Sequence, residues 1–158
     1  MFDTEKLSLR PNTPDDDGFL RQVYDSTRRD ELDAWGWDAQ QQRLFLDLQF
    51  KAQTEQYRQC YPKADSELIL LNGNPVGRIL IDRGETDILL IDIALLAEYR
   101  RLGIGTYLIR GLLDEARTVR LQVQRSNPAL RLYQRLGFLP IAGDQIYIEM
   151  EWRAKPAR

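Results

Sequence analysis

The chain contains no histidine, and this absence excludes several kinds of chemistry at once. Ser-His and Cys-His mechanisms and histidine-ligated metal sites are ruled out, and we expect no metal site. The single cysteine, Cys60, cannot form an internal disulfide and fits a reducing compartment. Because neither a histidine nor a second cysteine is present to activate it, we expect Cys60 to be structural.

Long apolar runs and an excess of positive charge are also missing. No apolar stretch approaches the roughly 20 residues that span a bilayer, so we expect no membrane partner. The formal net charge of −2 argues against a nucleic-acid binder, which needs a positive face. The first residues lack the basic and apolar regions of a secretion signal, so we expect a cytoplasmic protein. The length predicts one domain at residues 1–152, followed by a loose tail at 153–158.

The most informative segment is an apolar run followed by a glycine-rich turn. The run extends from Ile88 to Leu96, and the turn reads Arg100-Arg101-Leu102-Gly103-Ile104-Gly105-Thr106. Glycines let successive N–H groups converge on an anion, and a helix start adds unpaired amides and a positive dipole end. The layout therefore predicts a pyrophosphate site. The alternative, glycines that only relieve a crowded turn, is disfavoured by the preceding strand, the flanking arginines and the following helix.

An amphipathic helical pattern begins at once after this turn. Its apolar residues recur at spacings of three and four, namely Ile104, Tyr107, Leu108, Leu112 and Ala116. A Walker loop does not fit, because Gly105 is followed by Thr-Tyr and not by Lys-Ser or Lys-Thr. A dinucleotide fingerprint does not fit either, because its third glycine is missing.

A second informative segment lies downstream and reads Ser126-Asn127-Pro128-Ala129-Leu130-Arg131-Leu132-Tyr133-Gln134-Arg135-Leu136-Gly137-Phe138. The two segments together resemble the GCN5-related N-acetyltransferase (GNAT) family. Arg100, Gly103 and Gly105 match that family's Arg/Gln-x-x-Gly-x-Gly/Ala loop, and the second segment resembles its Asn-(x)-Ala-x-x-Leu-Tyr-x-x-x-Gly-Phe motif. The resemblance is close over residues 66–152 and general before them. It implies that acetyl-CoA donates its acetyl group to a primary amine by direct attack in a ternary complex.

The pattern of elements predicts an α/β protein with a mixed sheet. The predicted order, which is also that of the GNAT-like acyl-CoA N-acyltransferase fold, is β1 (7–11), α1 (from 14), α2 (38–58), β2 (66–71), β3 (76–82), β4 (88–96), α3 (from 104), β5 (120–123), α4 (128–136), β6 (139–141) and β7 (146–152). We expect Leu44, Phe45 and Leu48 to point inward from α2. The resemblance implies that β4 and β5 splay apart around acetyl-CoA.

Two residues are the catalytic candidates. By the resemblance, Tyr133 holds the position of the family's proton donor, although a packing role beside Leu130 and Leu136 is the alternative. Asp92 is the one charge inside the apolar run, so it should have a partner or a purpose. Desolvation would raise its pKa toward the range useful for a base. A base and a structural ion pair with Arg78 remain equally open, and the loop residue Glu98 is a weaker candidate base.

The resemblance also implies the residues that hold acetyl-CoA. The backbone of Ile93 and Leu95 should pair with the pantetheine amides, and the loop from Arg100 to Thr106 should hold the pyrophosphate. Asn127 should either meet the CoA arm or cap its helix. The segment from Asn127 to Tyr133 is one residue shorter than in many relatives.

The acceptor amine is the least determined partner. The α1–α2 region, which usually walls the acceptor pocket in this family, contains Trp35 and Trp37 among acidic residues. These residues would suit a cationic amine, or they would cover the core while the acids remain solvated. A non-catalytic acyl-CoA sensor and a scaffold domain are the alternatives to an enzyme, and a homodimer is left open.

Overall fold

The computed structural model of the chain describes residues 2–156, and these residues form one sheet flanked by helices. The strands are β1 (Leu7–Pro11), β2 (Asp65–Leu71), β3 (Asn74–Arg83), β4 (Asp87–Leu95), β5 (Thr118–Gln124), β6 (Leu139–Gly143) and β7 (Tyr147–Arg153). The α-helices are α1 (Asp17–Ala34), α2 (Ala39–Cys60), α3 (Ile104–Glu115) and α4 (Ala129–Arg135). The predicted mixed α/β class and element order are confirmed.

The strand order is β1-β2-β3-β4-β5-β7-β6, which places β4 in the centre of the sheet. Neighbouring strands are antiparallel, except that β4 and β5 are parallel. A central strand is buried on both faces, which explains why the sequence from Ile88 onward is apolar almost without interruption. Asp92 therefore lies in the middle of the sheet.

The two faces of the sheet are covered by different helices. Alternate residues of β3, such as Ile79 and Ile81, join the main core cluster with Ile104 and Ile109 of α3. The intervening Leu80 is also buried and faces the other side, where α1 packs on β3 and β4. The site elements are thus held between two apolar layers.

The predicted inward face of α2 is wrong in two positions. Leu44 and Leu48 are 60% and 69% exposed, whereas Leu46 is buried. Phe50, one turn after Leu46, packs against Tyr24 of α1 with ring centroids 5.4 Å apart. Because α2 contacts the rest of the protein through the narrow stripe that carries Leu46 and Phe50, only residues on that face of the helix are covered. Tyr107 was expected on the inner, apolar face of α3, but it is exposed.

The first two residues of the tail expected at 153–158 belong to the folded part of the chain. Arg153 closes β7, and the Ala154 N–H donates to the Arg117 carbonyl at 2.8 Å. Residues 157 and 158 of the expected tail lie outside the described part. No helix within residues 2–156 is long and apolar enough to cross a membrane.

Candidate active site

The cleft between β4 and β5 is the central feature of the site. The two strands pair only from Asp87–Thr118 to Leu90–Leu121 and separate beyond that point, as expected. The opening is a cavity of about 80 Å³. Its lining includes four of the predicted site residues, Asp92, Ile93, Asn127 and Tyr133. Residues from β4 and from the β5–α4 region thus meet at one space.

A β-bulge in β4 determines which side chains face which layer. Leu80 lies opposite Asp92 but Ile81 lies opposite Leu90, so Ile91 is an extra residue in β4. Leu90 belongs to the core cluster on the α3 side. Without the bulge, Asp92 would point to that same apolar side, since side chains alternate along a strand. The bulge turns Asp92 to the face of Leu80 instead.

The backbone of β4 beyond the bulge has groups directed into the cleft. The Leu96 N–H donates to the Val76 carbonyl of the β3 segment at 2.9 Å. Because backbone groups alternate in direction along a strand, those of Ile93 and Leu95 point away from β3 and toward the side of β5. The Leu95 carbonyl there accepts a hydrogen bond from the Arg100 side chain. The other outward groups of this edge can pair with an extended ligand.

The glycine-rich turn begins α3 and leaves backbone donors free. Gly103 has φ +94° and is the N-cap, a conformation that favours glycine. The first hydrogen bond of the helix runs from the Tyr107 N–H to the Gly103 carbonyl. The N–H groups of residues 104–106 therefore have no partner of the i−4 type and form the positive end of the helix. A Cβ built on Gly105 meets no heavy atom within 4 Å, so the space beside Gly105 is open.

The Arg100 side chain fastens this turn to its surroundings. Its Nε donates to the Leu95 carbonyl at 3.0 Å, and its Nη2 donates to Ser26 Oγ of α1 at 3.0 Å. Arg101 is exposed with φ +64°, and Leu102 packs against the core cluster. The predicted anion site thus presents backbone amides, while the motif arginine Arg100 holds the loop.

Asp92 faces the buried cation that the sequence suggested. Arg78 Nε lies 3.7 Å from Asp92 Oδ2, which is an ion pair but too long for a hydrogen bond. The Asp92 side chain is 27% exposed, and Asp92 lines the cleft. Burial raises the pKa of Asp92, while Arg78 and the Ile93 backbone act in the opposite direction. Burial has the larger effect, so this carboxyl holds its proton to a higher pH than an ordinary aspartate.

Tyr133 reaches the cleft from α4. It is buried, and its ring packs on Phe138 with centroids 5.8 Å apart. Burial and the negative charge of Asp92 raise the pKa of Tyr133 to about 12. The phenol therefore stays protonated at neutral pH and is available as a donor.

Asn127 lies where the two expected roles meet. Its Oδ1 accepts a hydrogen bond from the Ala129 N–H at 2.9 Å, which caps the start of α4. Asn127 also lines the cleft. The capping role is visible, and it leaves the side-chain amide nitrogen free to meet a ligand.

The tryptophans of the α1–α2 region form an exposed aromatic cluster. Trp35 and Trp37 each pack edge-on against Phe45, with centroids 6.0 and 5.2 Å away. Arg28 lies over the Phe45 ring at 5.4 Å. The acidic Asp38 caps α2 by accepting from the Gln41 N–H at 2.8 Å. This acid is thus engaged in structure, while the two indole rings remain accessible.

Two site features have no signal in the sequence. Burial raises the pKa of Tyr57 of α2, and the nearby charge of Asp92 adds to this effect. Gly77 of β3 lies opposite Leu95, and a Cβ there would collide with the Ala94 carbonyl oxygen and lie 2.8 Å from Leu95 Cδ2. Both depend on contacts between distant segments, which no local motif reports.

Comparisons with known proteins agree with this geometry. The family model for the acetyltransferase (GNAT) family matches residues 20–138. A curated N-alpha-acetyltransferase of Sulfurisphaera tokodaii is 46% identical over 55 residues, which is 30% of this chain and 33% of that protein. The alignment therefore spans about a third of this relative's length.

Solved structures extend the likeness to almost the whole chain. The PaiA N-acetyltransferase of Thermoplasma acidophilum, solved in complex with coenzyme A, superposes with a TM-score of 0.70 at 17% identity, covering 94% of this chain and 99% of that one. An acetyltransferase of Thermus thermophilus gives a TM-score of 0.68 at 20% identity, covering 94% and 97%. At these identities the likeness establishes the fold, and the family model establishes membership. The chain belongs to the acetyltransferase (GNAT) family, whose enzymes take their acetyl group from acetyl-CoA.

Proposed function

We propose that this protein transfers the acetyl group of acetyl-CoA to a primary amine by direct attack in a ternary complex. The observation that carries the proposal is the cleft between β4 and β5, which both Asp92 and Tyr133 line. The free backbone amides at the start of α3 support it. Cys60 is exposed at the end of α2, outside the cleft lining, which disfavours a covalent route through it. We infer a single transfer step.

The chain's own backbone would hold acetyl-CoA. The free amides of residues 104–106 suit the pyrophosphate, and the outward edge of β4 at Ile93 and Leu95 suits the amides of the pantetheine arm. The thioester supplies a carbonyl that is already activated toward amines. The protein's task is then to orient the reactants and to move protons.

Asp92 is the proposed proton acceptor. Its carboxylate lines the cleft, and burial raises its pKa, which makes it a stronger base than a solvated aspartate. As the amine nitrogen bonds to the carbonyl carbon, it loses a proton to Asp92, directly or through water. The carbon–sulfur bond then breaks, and the sulfur leaves with the electron pair.

Tyr133 is the proposed donor to the departing sulfur. A thiol has an unperturbed pKa of about 8.5, so full transfer from a phenol with a pKa of about 12 is uphill by roughly 3–4 units. We therefore expect Tyr133 to act mainly through a strong hydrogen bond that stabilises the developing thiolate. Its burial keeps this hydrogen bond out of competition with water.

Peptide α-amines are the first acceptors to test, since the curated relative is named an N-alpha-acetyltransferase. A peptide α-amine has a pKa of about 7.7–8.0, so roughly one molecule in ten is neutral at pH 7. A lysine with a pKa of about 10.4 is neutral in only about one molecule in a few thousand. An α-amine therefore depends less than a lysine on a carboxylate base such as Asp92, because more of it is already neutral.

The experiment is an acetyl-CoA turnover screen against four amine classes: peptide α-amines, lysines in blocked peptides, polyamines and aminoglycosides. CoA release is followed with a thiol reagent on the Cys60→Ser variant, because the exposed Cys60 thiol would also react. Turnover with one class supports the proposal. Tight acetyl-CoA binding without any turnover would indicate a sensor, and no acetyl-CoA binding would indicate a scaffold.

A further inference from the structure

Arg78 is a buried cation whose Nε has no hydrogen-bond partner among residues 2–156. The residue is only 9% exposed, and the acid beside it is Asp92, with 3.7 Å between Nε and Oδ2. Buried charges are normally paired and hydrogen-bonded. Here the charge is compensated but the hydrogen bond is not made, so the Asp92 oxygens are not bound to Arg78.

The register of β3 and β4 creates this arrangement. Arg78 lies opposite Ala94, and Leu80 lies opposite Asp92, so Arg78 and Asp92 are diagonal neighbours on one face of the sheet. They share that face only because Ile91 is bulged. The bulge thus directs the Asp92 side chain away from the apolar α3 layer and places it beside Arg78.

We propose that Arg78 is a positioning residue that keeps the Asp92 carboxylate charged and held at the cleft between β4 and β5. The inference rests on the proposed function, in which Asp92 accepts the proton of the amine. A direct hydrogen bond would tie up an oxygen that must receive this proton. A cation at ion-pair distance stabilises the charge and leaves the oxygens available.

The other groups that face Asp92 cannot replace Arg78. Tyr57 of α2 and Tyr133 of α4 are phenols whose pKa values are raised by burial and by the Asp92 charge, so both are neutral in the physiological range. Burial raises the pKa of Asp92, and Arg78 is the side-chain charge that opposes this effect. Removing the guanidinium leaves burial to act with little opposition, and the carboxyl should then hold its proton to a still higher pH.

The test is the pH dependence of kcat for acetyl transfer in Arg78→Met, with Arg78→Gln as a second neutral variant. Met is flexible and apolar, so it suits a site beside the buried Leu68 and Leu80. We expect the acidic limb of the profile to move to higher pH by about 1 unit or more. Below that limb the rate should fall about tenfold, and acetyl-CoA affinity should be unchanged. Arg78→Lys, which keeps a cation, should shift the limb less.

Arg83→Met is the matched control, since Arg83 lies on the same strand and its loss changes the charge equally. Arg83 pairs with Asp65 and Glu115 and not with Asp92. The acidic limb of the kcat profile of Arg83→Met should therefore stay at the parental pH. A limb that does not move in the folded Arg78→Met or Arg78→Gln protein would overturn the positioning role. Asp92→Asn separates a failure of the positioning role of Arg78 from a failure of the proposed base. If Asp92→Asn leaves the acidic limb in place, the assignment of Asp92 as base is itself wrong.

Discussion

Asp92 and Tyr133 line the same cleft from different elements, and the charge of Asp92 adds to burial in raising the pKa of Tyr133. This coupling has a useful direction in the proposed reaction. When Asp92 takes the proton of the amine, its negative charge disappears and Tyr133 becomes a stronger acid. The acceptance of one proton therefore favours hydrogen bonding to the departing sulfur. In the proposed reaction, Asp92 would thus act before Tyr133.

The first prediction concerns Gly105, whose N–H is one of the free amides and whose Cβ position has no heavy atom within 4 Å. Gly105→Val should place a branched side chain where a phosphate must approach. Acetyl-CoA at a hundred times its Kd should stabilise the parent by about 2.7 kcal/mol, and the variant should lose most of this gain in a denaturant melt. Gly111→Val is the control, because Gly111 is also in α3 with no neighbour within 4 Å. A folded Gly105→Val protein with parental affinity would refute the loop assignment.

Tyr133→Phe should separate the hydroxyl from the ring. The ring contact with Phe138 remains, so the melting temperature should change little, whereas kcat should fall roughly 10- to 10,000-fold. The matched control is Tyr147→Phe, whose hydroxyl accepts from Gln124 Nε2 at 3.4 Å outside the cleft lining. An unchanged kcat at saturating substrates would reduce Tyr133 to a packing residue.

Asp92→Asn should remove the acidic limb of the kcat profile. Because burial raises the pKa of Asp92, the parental limb should lie above the ordinary aspartate value of about 3.9. The variant should be slow at neutral pH and recover at high pH, where the free amine deprotonates by itself. If Asp92 serves only the ion pair with Arg78, the variant should lose about 3–5 kcal/mol of stability, with no recovery of rate at high pH.

The stability of Asp92→Asn relative to the parent should depend on pH. Since the pKa of Asp92 is higher in the folded than in the unfolded chain, the folded parent binds more protons in this range. The Asp92 contribution to parental stability therefore falls as pH rises from the unfolded pKa through the folded one. Denaturant melts across this pH range should show that the free energy of unfolding of the variant rises relative to that of the parent as pH increases. A difference that stays constant with pH would contradict the raised pKa of Asp92.

Gly77→Ala should disturb the sheet beside the cleft. The added Cβ would collide with the Ala94 carbonyl oxygen, which is rigid backbone, so β3 and β4 must move apart. We expect a loss of about 1–3 kcal/mol in a denaturant melt. Gly18→Ala in α1 meets no atom within 4 Å and should be neutral or slightly stabilising. Equal stability of the two variants would show that this close approach is not needed.

The sequence by itself determined the features that depend on neighbouring residues. The glycine-rich turn before α3 and the element order both follow from local periodicity and turn chemistry. Gly103 is a clear case, because its φ of +94° lies in the region that favours glycine. The apolar run of β4 is likewise typical of a strand buried on both faces, which agrees with its central place in the sheet.

The tertiary structure alone decided how distant segments meet. Periodicity placed Leu44 and Leu48 inward, but the narrow contact of α2 with α1 buries Leu46 instead. The Arg100 side chain reaches Ser26 of α1 and the Leu95 carbonyl, and no motif in the sequence specifies these two contacts. The bulge at Ile91 depends on the pairing of β3 with β4, and it turns Asp92 toward Arg78. A strand's register and a helix's covered face are set by partners far along the chain, so local sequence patterns cannot specify them.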